Sequence, residues 1–132
     1  MVSGVSGQPA GDGAPGGGRF GVERRGAVGA LVLALTGELD HDTAEPLREA
    51  LSAGVQERPA RILVDCAELR FCDSTGLNVL LRARLNALES GIGLELAALR
   101  PPVARMFDIT GAHTVFRVYE SLGAALADES QP

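Results

Sequence analysis

Asp73, Ser74 and Thr75 stand in a row immediately before a strongly apolar stretch. A carboxylate and two hydroxyls at the mouth of a helix can do two kinds of work. A side-chain oxygen can cap the helix by accepting one of its unpaired N–H groups, worth about 1 kcal/mol. Alternatively, a hydroxyl there can accept a phosphoryl group. The unpaired N–H groups and the helix dipole favour negative charge, and a phosphate brings about −1.5 to −2 charges. Gly76 follows in the first turn and would keep the surface open for another protein. Asp73 as the cap would leave Ser74 free to point outward. Read from the residues alone, cap and acceptor both stand.

No other group of residues makes a reaction centre. His41 and His113 each stand alone and suit surface or structural positions. Cys66 and Cys72, six apart with no nearby His pair, fit no zinc spacing. They read as buried free thiols, which suits a reducing cytoplasm. Ser74 lies in no Gly-x-Ser-x-Gly elbow, and the N-terminal glycines are not followed by Gly-Lys-Ser. We therefore expect no catalytic residue, no metal and no cofactor. The net charge of −5, without a dense Lys/Arg cluster, argues against nucleic acid. No apolar run is long enough to span a membrane. The first residues lack a signal-peptide pattern, so a cytoplasmic protein is expected.

The elements that must position Ser74 alternate in type. Residues 1–18 hold seven glycines and two prolines and read as a disordered tail; residues 129–132 read as a fraying end. Between them lies one domain, 19–128. Phe20 to Arg24 is a short strand with Phe20 and Val22 on one face. Ala30 to Leu35 is a strand buried on both sides, stopping at Thr36-Gly37. Ala44, Leu47, Leu51 and Val55 recur at helical spacing behind a Thr43 cap. Arg61 to Cys66 is the next strand, followed by a short loop. The helix opened by Asp73-Ser74-Thr75 carries a stripe of Leu77, Leu81, Leu85 and Leu88, with Leu80 beside it. Then come a strand at Leu94 to Leu99, a helix begun by Pro101-Pro102, a strand at Val115 to Tyr119, and a last helix capped by Ser121 with Leu122 and Leu126 inward. The order β-β-α-β-α-β-α-β-α predicts an α/β fold with about four helices on a mostly parallel sheet, its first strand at an edge.

Two stretches carry a family resemblance: Thr36-Gly37-Glu38-Leu39-Asp40-His41-Asp42-Thr43-Ala44 and Phe71-Cys72-Asp73-Ser74-Thr75-Gly76-Leu77. At this separation they resemble the STAS domain, and most nearly the bacterial anti-sigma factor antagonists. Arg105 to Gly111 resembles the family's third helix. The resemblance implies the STAS fold and a protein that is not an enzyme. It implies binding to an anti-sigma factor with serine kinase activity, which releases a sigma factor for transcription. The kinase would phosphorylate Ser74 and so end the complex, and a serine phosphatase would reset it. Asp40 and Asp73 match family positions beside the phosphorylation site. With Ser74, Thr75 and Gly76 they form the expected partner-binding set, and Thr75 is the weaker second acceptor. The competing expectation is a STAS scaffold module in a larger signalling assembly.

Overall fold

The computed structural model describes residues 19–128, so both terminal segments discussed above lie outside the described residues. Five strands form one sheet in chain order. They are β1 (Phe20–Ala27), β2 (Ala30–Leu39), β3 (Arg61–Cys72), β4 (Gly93–Ala97) and β5 (Val118–Tyr119). β1 pairs antiparallel with β2, and every later pairing is parallel. The helices are α1 (Ala44–Gln56), α2 (Ser74–Glu89), α3 (Pro101–Thr110) and α4 (Leu122–Ala127), with a 3₁₀ turn at Ala112–Thr114. This is the α/β order expected from the sequence.

Alternation along the strands sets the two faces. Leu31, Leu33, Leu35, Ile62, Val64, Leu94 and Leu96 point to one side and form the main core with α1, α2 and α3. Ala30, Val32, Leu63 and Ala97 point to the other, where α4 lays Ala125 and Leu122 over them. A buried ion pair shares that second face. Arg61 donates to Glu95 at 2.7 Å and to the Asp128 carbonyl at 3.1 Å. The pair has its partner and its hydrogen bonds, the condition under which buried charge is tolerated.

Several expectations need correction. β3 does not stop at Cys66; its ladder with β2 continues through Leu39↔Cys72, with register shifts at Ala34/Thr36 and Gly37/Glu38. Those irregularities put Cys66, Leu69 and Cys72 inside at a spacing of three, which suggests neither a regular strand nor a helix. β5 is only two residues long. Thr114 and Val115 send their N–H groups back to Gly111 and Ala112, which leaves little backbone free for the sheet. The α2 stripe is also different. Gly76, Leu77, Val79, Leu80, Ala83 and Ala87 face inward, and Leu85 and Leu88 are half-exposed. The small residues let the helix lie close to the sheet. In α4, Ala125 is the buried residue and Leu126 turns outward.

Candidate functional site

The parallel pairing of β2 with β3 builds the site. Leu39 and Cys72 are the last paired residues, and the Asp73 N–H donates to the Leu39 carbonyl at 3.1 Å. The turn after β2 and the start of α2 are therefore fixed side by side. This brings together Asp40 from one chain segment and Asp73-Ser74 from another.

Asp73 settles the capping question. Its backbone is extended, and its Oδ1 accepts the Gly76 N–H at 3.0 Å. Its carbonyl accepts the first helical bond, from Leu77 N–H at 2.9 Å. Ser74 is the first helical residue and is exposed. Its hydroxyl makes no hydrogen bond to any described residue. Thr75 is half-buried in the same turn.

Gly76 departs from expectation. It is buried, and a Cβ there would come within 2.6 Å of Leu39 Cγ, 2.8 Å of Leu39 Cδ2 and 3.1 Å of Cys72 Sγ. It is a close-packing position beneath the site, not part of an open surface. Glycine lets α2 rest directly on the ends of β2 and β3.

Asp40 organises the neighbouring turn. Its Oδ1 accepts from Asp42 N–H at 2.9 Å and Thr43 N–H at 3.1 Å. Its Oδ2 pairs with the Arg19 guanidinium. Burial pushes its carboxyl up, but the Thr43 hydroxyl, the Arg19 charge and the two backbone donors together hold it below the usual range. Thr43 stands at the N-cap of α1 but does not cap it. Its hydroxyl accepts from Asp40 N–H at 2.9 Å and shares its one proton between the Glu38 carbonyl at 2.9 Å and Asp40 Oδ1 at 3.1 Å, and so closes the turn instead. Arg19 was not singled out by motif reasoning, since a lone arginine ahead of β1 carries no spacing signal.

Burial pushes the Cys66 thiol up strongly, and burial with the nearby Asp73 charge pushes Cys72 up to about 12. His41 is exposed, and His113 sits 3.5 Å from Asp108 near the end of α3. Among the described residues no group of three His, Cys, Asp or Glu could hold a metal, and no helix is long and apolar enough to cross a membrane. Beside Cys72 lies a shallow groove of about 430 Å³ lined by Phe71, Pro101, Pro102, Arg105, Met106 and Ile109. Phe71 and Ile109 are exposed there.

Comparison with known proteins shows the family and the fold. The family described as "Mlab, STAS domain" matches residues 22–120. The anti-sigma F factor antagonist of Paenibacillus polymyxa is 31% identical over 101 residues, covering 76% of this chain and 86% of that protein. The crystal structure of an anti-sigma factor antagonist from Mycobacterium paratuberculosis superposes with a TM-score of 0.77 at 27% identity, over 86% of this chain and 94% of that one. The anti-sigma factor antagonist SpoIIAA in its unphosphorylated form gives a TM-score of 0.65 at 26% identity, over 81% and 92% of the two chains. SpoIIAA of Bacillus in its phosphorylated form gives 0.59 at 25% identity, over 81% and 96%.

Proposed function

This chain belongs to the STAS domain family, among the anti-sigma factor antagonists, and we propose that it binds an anti-sigma factor that is also a serine kinase. Binding releases a sigma factor for transcription. The kinase then transfers a phosphoryl group to Ser74, the complex dissociates, and a serine phosphatase restores the free hydroxyl. The exchange takes place in the cytoplasm, and the domain, residues 19–128, acts as a binding module without catalysis of its own.

The observation that carries this reading is the division of labour at the start of α2. Asp73 takes the cap, so the exposed Ser74 hydroxyl is left with no structural task. Asp40, Asp73 and Thr75 flank it as contact residues, and Gly76 shapes the site from below. A relative with a phosphorylated form supports the same reading. Placing a new charge at the centre of an interface costs roughly 2–5 kcal/mol. A loss of about 4 kcal/mol is near a thousandfold in dissociation constant, enough to empty the complex.

Paired pull-downs test it, using Ser74→Ala and Ser74→Glu baits in lysate of the source cell, with mass spectrometry of the captured proteins. An anti-sigma factor with a kinase fold should come down with Ser74→Ala and be lost with Ser74→Glu. Identical captures from both baits would return Ser74 to an ordinary surface residue and favour a scaffold module.

A further inference from the structure

We propose that Arg19 is a positioning residue of this site, holding the Asp40 turn in register beside Ser74. The inference rests on the reading that Asp40 and Ser74 share one partner surface.

Arg19 grips the end of β2 in two ways. Its backbone carbonyl accepts the Glu38 N–H at 2.5 Å. Gly37, with φ +91°, lies directly against it, and a Cβ on Gly37 would fall 1.8 Å from the Arg19 oxygen. Only glycine permits that approach. From this anchored backbone the guanidinium reaches Asp40, with side-chain exposures of 37% and 20% for the two partners. The pair is neither fully solvated nor isolated from the turn, so it carries more directional weight than a free surface ion pair.

The two oxygens of Asp40 have separate duties. Oδ1 holds the N–H groups of Asp42 and Thr43, and Oδ2 belongs to Arg19. With both engaged, the carboxylate cannot rotate, and the turn is fixed relative to Leu39. Leu39 in turn accepts the N–H of Asp73, the residue before Ser74. Arg19 therefore sets the geometry of one half of the surface on which Ser74 is read. It also offsets a negative charge close to the residue that would receive a phosphate.

The test has one arm without a partner and one with it. In full-length protein, Arg19→Met should speed amide exchange at Asp42 and Thr43 roughly tenfold, by local opening. It should also move the Asp40 carboxyl, followed by NMR titration, up toward its ordinary value. Unchanged exchange and titration would overturn the proposal whatever the partner. The second arm uses the anti-sigma factor recovered with the Ser74→Ala bait as the probe. Arg19→Met should weaken binding about tenfold, and Arg19→Lys should restore part of it. In an Asp40→Asn background the same change should have no further effect. A loss that persists in that background refutes action through Asp40. Failure of the unsubstituted protein to bind the probe would count against the functional reading, while the exchange arm still decides the role of Arg19.

Discussion

Gly76→Ala sets a local gain against a packing loss, and the geometry decides the sign. Alanine in place of glycine favours a helix by up to about 1 kcal/mol. Gly76 is the third residue of α2, where only part of that gain applies. Against it, the new methyl would stand 2.6 Å from Leu39 Cγ and 2.8 Å from Leu39 Cδ2. Leu39 is fully buried, and Cγ is a branch point close to the backbone, so it cannot swing aside. Overpacking of this kind costs about 1–3 kcal/mol. The net expectation is a destabilisation of about 1–2 kcal/mol, or a Tm lower by roughly 5–10 °C in a domain of this size. Urea unfolding and calorimetry measure it. Gly123→Ala is the internal control: it lies in α4, and its nearest neighbour to an added Cβ is Ser121 Oγ at 3.8 Å. Gly123 is only the second residue of its helix, so that change should stabilise by no more than about 0.5 kcal/mol. A Gly76→Ala protein as stable as the parent would refute the claim that α2 seats directly on Leu39.

Two further substitutions separate cap from acceptor: Asp73→Ala should lose about 1 kcal/mol in urea unfolding, from the Gly76 N–H bond it makes, and Ser74→Ala should change stability by less than about 0.5 kcal/mol. Equal losses from both would mean that the serine shares the cap. For the thiols, burial keeps Cys72 protonated at pH 8, since its pKa is pushed up to about 12. Both cysteines should react with Ellman's reagent only on unfolding, and rapid labelling of one equivalent in native protein would contradict the packing described.

The sequence yielded the element order, the edge position of β1 and the inward face of α1, because β2 and the start of β3 are continuous apolar runs, α1 repeats its apolar residues at helical spacing, and β1 is too polar to lie between two strands. It also brought Asp40 and Ser74 into one reading through motif resemblance. What it concealed has physical causes. β3 hides its second half because its bulges space Cys66, Leu69 and Cys72 by three. In the second half of α2, Leu85 and Leu88 turn outward while Ala83 and Ala87 turn inward, so weighting by size points the wrong way there. Gly76 looks the same whether it is open to solvent or pressed on a leucine. The role of Arg19 depends on a contact spanning 21 positions, which no local pattern encodes.

The five strands lie side by side in the order in which the chain is made. As the polypeptide emerges during synthesis, each strand finds its neighbour already present, and the loops to be closed stay short. The β1–β2 hairpin comes first. When β3 follows, Leu39 meets Cys72 and the two loops of the site are joined. With α2 in place, that frame is complete while residues from 93 onward have yet to be made. The last piece is α4, and until it arrives Ala30, Val32, Leu63 and Ala97 lie bare on the second face. The interval in which a nascent chain can stick to its neighbours is therefore set by the final residues of the domain, far from the surface that meets a partner.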